Sequence, residues 1–370
     1  MLNLKKQTIW LLLGVFALGA SSLLMVQVAD EDDWFYVPLF LHQEAPAQLP
    51  VSAASDEKKE LVIMFGGDVM LSRTVNAKMS TYGDYTWPFK EIASTTSAAD
   101  ITIINLESPF LKDANYQVPT GSFSFKANPQ AIEGMKLAGI DIVSLANNHT
   151  LNAGSKGLSD TILILEEAGM LSAGAGMNEQ EARRPAIFEH DGWKVAYLAY
   201  AYPNDNSVAT ANRPGIATLD IENLKEDIAL VRGEVDLVIV SMHAGIEYVA
   251  EPGEQQKTFA RTAIDAGADA VVGHHPHWPQ TWEIYKEKII LYSLGNFVFD
   301  QMWSLGTSRG LLAELTFKSD LSGSAKLIPI EIVDYGQARL WPEEKSVREF
   351  WETFKLDEPA ALSWQGSAGN

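Results

Sequence analysis

The chain has 370 residues, 46% of them hydrophobic, so it can bury a large core and is too apolar to be mostly disordered. Its 48 acidic and 28 basic side chains leave a formal charge of −20, which repels phosphate and excludes a general nucleic-acid or anionic-membrane binder. With no cysteine it can form no disulfide, thiolate metal site, iron–sulfur cluster or cysteine nucleophile.

Lys5 and Lys6 precede an uncharged run from Gln7 to Ala29, and Asp30, Glu31, Asp32 and Asp33 follow it. As a helix rising about 1.5 Å per residue, that run spans a hydrocarbon core of about 30 Å. Lysines before it and acids after it predict a transmembrane anchor over 1–29, with its start inside the cell and the rest outside. A cleaved signal peptide is the rival, with small residues at Ala17, Gly19 and Ala20. The apolar run continues past them through Leu23, Leu24, Met25 and Val26, which favours the anchor. Residues 30–60 carry Pro38, Pro46 and Pro50 and read as an extracellular tether. Trp34, Phe35, Tyr36 and Phe40 suit an interfacial aromatic belt.

From Leu61 onward, short apolar runs end in polar clusters, and helical stretches separate them. Leu61–Phe65 leads to Asp68, Ile101–Ile104 to Asn105 and Glu107, and Ile140–Ala146 to Asn147, Asn148 and His149. Val235–Met242 leads to His243, Ala268–Val272 to His274, His275 and His277, and Ile289–Leu294 to Asn296. Continuous apolar runs predict strands buried on both faces. Helices are predicted after Asn128-Pro129 and over Ser155–Ala168, Ile221–Val231 and Glu254–Ala266. Ala186–Tyr200, broken by Asp191-Gly192, reads as an antiparallel hairpin, and Leu311–Phe317 and Ala325–Val333 as further strands. The expectation is an α/β domain over 61–340 with a mixed, two-sheet core, then a tail over 341–370.

Ligands in such sheets gather outside the carboxyl ends of the strands. Five of the seven histidines fall there, namely His149, His243, His274, His275 and His277, with Asp68, Glu107 and Asn148 at equivalent positions. Oxygen and imidazole donors without thiolate suit Mn, Fe, Zn or a similar divalent ion. The set is too large for one tetrahedral site and suits two ions about 4 Å apart with a shared carboxylate. Two ions would activate water and neutralise a phosphoryl-type oxygen, while a nearby histidine donates a proton. No Walker A loop, zincin motif or nucleophile elbow is present in the sequence.

The strings FGGDVMLSR (65–73), NLESP (105–109), SLANNHTLNAG (144–154), GADAVVGHHPHWPQ (267–280) and YSLGNFVFD (292–300) resemble the CapA family of bacterial capsule-synthesis proteins. That family is similar in fold to calcineurin-like metallophosphoesterases. The resemblance implies a four-layer αββα sandwich behind a single membrane anchor, on the outer face of the cell membrane. It also implies a role in making, exporting or anchoring poly-γ-glutamate beside synthase and exporter subunits. By position it makes Asp68, Glu107, Asn148, His243, His275 and His277 metal ligands, and His149 the catalytic histidine. Asn105, Glu247, His274 and Asn296 would support substrate. Met70 stands where phosphoesterases keep a histidine, Ala244 where the family often has tryptophan, and Asn152 where an aspartate is common. Two functions therefore stay open: an assembly partner of a polymer synthase, or an extracellular metal-dependent phosphoesterase or γ-glutamyl hydrolase acting on an anionic polymer or phosphoester.

Overall fold

A computed structural model describes residues 60–112, 123–203, 207–359 and 361–366, and the backbone of Leu13–Leu18, Ser21–Asp30 and Asp33–Leu39. The chain divides into two units, 1–56 and 57–370.

In the first unit the three segments just named pair antiparallel as neighbouring strands. The helix expected over the apolar run is not shown among the described residues. No helix among them is long and apolar enough to cross a membrane. Pairing between the segments satisfies their backbone groups. A bilayer would satisfy the same groups within one helix.

The second unit is built on two sheets. In the larger, Leu61–Val69, Ile101–Leu106, Ile142–Ser144 and Leu171–Ala173 run parallel, in that order. Arg309–Phe317 joins Leu61–Val69 antiparallel and pairs in turn with Gly323–Val333. In the smaller, Trp193–Ala201, Leu237–His243, Ala270–His274 and Lys288–Leu291 run parallel. Ala186–His190 closes one edge as the expected hairpin. The helices Gly154–Glu167, Ile221–Arg232 and Glu254–Ala266 stand within a residue of their predicted bounds.

Side chains of the second sheet alternate between two cores. Val195, Tyr197 and Ala199 join the large apolar cluster that also holds Ile63, Phe65 and Ile103. Ala196, Leu198 and Tyr200 face Leu224, Ile228, Phe259 and Ala263 of the two covering helices. Helices thus cover one face of the smaller sheet, and its other face shares the large cluster with the larger sheet. Each fully buried aliphatic side chain contributes about 1.5–3 kcal/mol to that stack.

Residues beyond 340, expected as a tail, include the helix Val347–Phe354 and the strand Leu362–Trp364, which pairs with Gly323–Val333. The helix buries Phe350, Trp351 and Phe354 in the large cluster. Its spacing of apolar residues puts all three on one face, a signal that its length of only 8 residues obscures.

A candidate metal centre at the ends of both sheets

Register aligns the polar strand ends. In the larger sheet Asn105 lies beside Asp68, Ser144 beside Asn105, and Asn296 on the other side of Asp68. In the smaller, His274 lies beside His243. Gly67 permits the approach of the Asn296 segment, because a Cβ there would stand 1.9 Å from the Gly295 carbonyl oxygen. That carbonyl accepts instead from the Asp68 N–H at 2.9 Å. His275 and His277 leave their strand with φ of 96° and 56°, a left-handed backbone that non-glycine residues adopt at a cost of about 1–3 kcal/mol each.

Asp68, Glu107 and His277 are buried, and each offers a ligand atom within 4.8 Å of the others. His277 Nδ1 is 3.2 Å from Asp68 Oδ2, and His274 Nδ1 is 3.5 Å from Asp68 Oδ1. Glu107 faces the other way as well: His243 Nδ1 is 3.8 Å from its Oε1, and His149 Nε2 is 4.0 Å from its Oε2. Asn105 ties the halves together, its Nδ2 being 2.8 Å from Asp68 Oδ1, 3.2 Å from Glu107 Oε1 and 3.2 Å from His243 Nδ1.

The hydrogen bonds also orient the rings. Asn152 Oδ1 accepts from the Phe125 N–H at 2.8 Å, which fixes the amide, and so His149 Nδ1 is the donor in their 3.0 Å contact. His149 Nε2 then accepts from Asn148 Nδ2 at 3.2 Å, and Asn148 Oδ1 accepts from His243 Nε2 at 2.9 Å. His275 Nδ1 lies 3.1 Å from the same His243 nitrogen, while its backbone N–H points to Asp68 Oδ2 at 3.3 Å. Asn296 Oδ1 lies 2.9 Å from His277 Nδ1.

Burial opposes charge on Asp68, but His274 and His277 outweigh it and hold its carboxyl well below the usual carboxylate range. Burial, then the charge of Asp68, pushes Glu107 well above that range. Burial lowers His243 far below the ordinary imidazole value and His149 to about 4. His277 is raised to about 9, because Glu107 and Asp68 outweigh the burial that opposes its charge.

Within the centre, the buried atoms Glu107 Oε2 and His274 Nδ1 have no hydrogen-bond partner among the described residues. Such atoms are costly to bury unless something else satisfies them. A divalent cation held by Asp68, Glu107 and His277 would give Glu107 Oε2 its partner and favour the ionised carboxyl. Oxygen and imidazole donors of this kind match Mn, Fe or Zn. The residues present therefore fit a metal.

All the residues singled out in the sequence gather here. Glu247, on the loop after His243, helps to raise His277 through its charge. Met70 is fully buried in the apolar core, with its sulfur 3.1 Å from the Ser72 nitrogen, and supplies no ligand. His190 pairs instead with Asp100 at 3.2 Å, away from the centre, and His42 lies outside the described residues. Sequence reasoning passed over Asn147, whose Nδ2 bonds Asn105 Oδ1 at 3.2 Å and whose Oδ1 accepts from His149 N–H at 3.0 Å. The Asn-Asn-His string was the available signal. It also passed over Tyr248, which stacks on His277 with ring centroids 6.1 Å apart.

Two stacked α/β sheets that pool carboxylates, amides and imidazoles at their carboxyl ends define a sandwich with a candidate metal centre. The chain belongs to the family described as bacterial capsule synthesis protein PGA_cap, which it matches over residues 62–301. It is 33% identical to the capsule biosynthesis protein CapA of Bacillus anthracis over 298 residues, covering 78% of this chain and 71% of that one. It is 30% identical to the PGA biosynthesis protein CapA of Bacillus subtilis over 270 residues, covering 72% of this chain and 70% of the relative. Among solved structures it is similar to the NAD nucleotidase of Haemophilus influenzae, at 12% identity and a TM-score of 0.43, covering 80% of this chain and 62% of that one.

Proposed function

We propose that this protein is a membrane-anchored accessory protein for the synthesis, export or anchoring of a poly-γ-glutamate capsule, acting through a divalent-metal centre. The observation that carries this reading is the extent of the family match. Residues 62–301 include every member of the centre, from Asp68 to Asn296. The names of the two relatives, capsule biosynthesis and PGA biosynthesis, support the polymer. Synthase and exporter subunits are the partners this role calls for.

Asp68, His277 and Glu107 would hold one ion. The position of Glu107 between that group and His243 with Asn148 supports a second ion sharing its carboxylate. Bound there, a divalent ion would supply charge for an anionic oxygen of the substrate and activate water. His149 would accept a hydrogen bond at Nε2 from a proton-bearing group, a bound water or a substrate hydroxyl, since Asn152 holds its ring and Nε2 faces the centre. Asn105 and Asn296 would keep Asp68 and His277 aligned. The apolar run from Gln7 to Ala29, flanked by Lys6 and Asp30, supports the membrane anchor and an extracellular second unit.

Deleting the gene in the source bacterium and restoring it tests the role. Capsular polymer should vanish, return with the parent gene, and fail to return with Asp68→Ala. Full capsule in the deletion strain sinks the reading. A second reading, an extracellular metal-dependent phosphoesterase or γ-glutamyl hydrolase, draws support from the partnerless Glu107 oxygen facing His149. Turnover of a generic phosphodiester or γ-glutamyl substrate by the metal-loaded protein would favour it.

A further inference from the structure

Arg73 stands one aromatic ring away from two histidines of the centre. Its guanidinium lies 4.8 Å from the centroid of Phe125 and 5.7 Å from that of Phe299. Phe125 packs on His149 with centroids 4.1 Å apart, and Phe299 meets His277 edge-on at 4.9 Å. The two phenylalanines are buried and meet each other edge-on at 6.0 Å. The backbone around Arg73 is tied to both phenylalanine segments. Ser72 Oγ accepts from the N–H of Lys126, next to Phe125, at 2.8 Å. Asp300, next to Phe299, pairs with the Arg73 guanidinium and accepts from the Thr74 N–H at 3.1 Å. Three consecutive residues thus join two segments that lie far apart in the chain. Arg73 itself has a φ of 46°, and strain of this kind collects where a side chain must be aimed. A planar guanidinium can face aromatic rings and bond a carboxylate through its edge at once, which a compact ammonium does less well.

We infer that Arg73 is a positioning residue that holds His149 and His277 in register with each other, acting through Phe125 and Phe299. The inference rests on the metal centre proposed above and assigns what fixes its two sides relative to one another. His277 lies beside Asp68, and His149 beside Glu107, so the two rings serve different carboxylates. Asn152 and Asn296 each hold one of these rings by a hydrogen bond. The Arg73 cluster spans both. Groups that orient a metal site from behind its ligands govern affinity nearly as much as the ligands do. An ion pair that only stabilises the fold would have no such effect. Lys78 and Asp334 form a pair of that kind on the same helix, Arg73–Tyr82.

Calorimetric titration of the full-length protein with Mn or Zn tests this, beside spectra of the histidine ring protons in the metal-free protein. Arg73→Met is combined with Asp300→Asn, so that no buried carboxylate is stranded. This double variant should bind metal about tenfold more weakly, the lower end of what losing a supporting residue costs. The ring signals of His149 and His277 should both move. Arg73→Lys keeps the charge and should retain part of the affinity. Lys78→Met with Asp334→Asn removes the other ion pair of the helix and should leave the affinity and both signals as in the parent. Phe299→Leu keeps the Arg73 pair and covers the case in which the double variant fails to fold. It should also weaken metal binding, and its effect should not add to that of losing Arg73. Parental affinity in the Arg73 and Phe299 variants, or a His149 or His277 signal left unmoved, overturns the inference while the metal reading stands. A parent that binds neither Mn nor Zn overturns both.

Discussion

His149 donates its Nδ1 proton to Asn152 Oδ1 across 3.0 Å, and the same oxygen takes the backbone N–H of Phe125 at 2.8 Å. One amide therefore sets both the ring and the loop that stacks on it, with Phe125 and His149 centroids 4.1 Å apart. Asn152→Ala should lower stability by about 1–2 kcal/mol, because it orphans two buried donors. Asn152→Asp keeps an acceptor and should recover most of that loss. Urea unfolding of the three proteins checks the order, and equal stabilities would mean that the amide does not organise the loop.

Glu107 is buried with its carboxyl pushed well above the usual range, so burial opposes its charge where no cation offsets it. Glu107→Gln should therefore leave the metal-free protein about as stable as the parent. The parent should gain several degrees in Tm on addition of Mn or Zn, whereas Glu107→Gln should gain much less. Equal gains would show that the added ion binds somewhere else.

His243 ends its strand inside the centre, whereas His190 ends an edge strand and pairs with Asp100. Elemental analysis of His243→Ala should show reduced metal, and His190→Ala should match the parent. Unchanged metal in His243→Ala would remove that residue from the ligand set.

Lys90, then Thr86, holds the Asp84 carboxyl down at about 2, against an ordinary 3.8. A depressed carboxyl contributes stability above its unfolded value and loses it as pH falls through the folded value. The parent should therefore be more stable than Asp84→Asn at neutral pH, and the gap should close between pH 4 and 2. Denaturant midpoints measured at successive pH values test this; a gap that persists at the acid end would contradict it.

Asp227 is buried, accepting from Arg183 Nη2 at 2.7 Å and from the Tyr200 hydroxyl at 2.9 Å. Arg183→Met strands that carboxylate and should cost about 3 kcal/mol. Adding Asp227→Asn should recover part of the loss, as seen in a double-mutant cycle by denaturant unfolding.

The parallel strands and their helices were legible because Ile101–Leu106, Leu237–His243 and Ala270–His274 are apolar on both faces, which only a covered sheet requires. The centre was legible because a strand end is a fixed place: a polar residue that follows such a run must project there. Asn147 was hidden because it acts through other side chains, bonding Asn105 and the His149 backbone. Tyr248 was hidden because its position depends on a positive φ and on Trp303, far along the chain. The helix Val347–Phe354 was hidden by its shortness and by its distance from any recognised string.

The register of Phe65 with Ala313 has a consequence for how the molecule is made. The first strand of the second unit keeps one flank open until the Arg309–Phe317 segment exists, almost at the end of the chain. Ile101–Leu106 can cover the other flank early. A ribosome or a secretion channel delivers residues in order, so Leu61–Val69 must wait with an apolar edge unpaired, the state in which strands find wrong partners. Pairing across so long a loop is slow. The nascent protein should therefore depend on a holding chaperone until its last quarter has emerged, and truncation before residue 309 should yield aggregate rather than a smaller soluble domain.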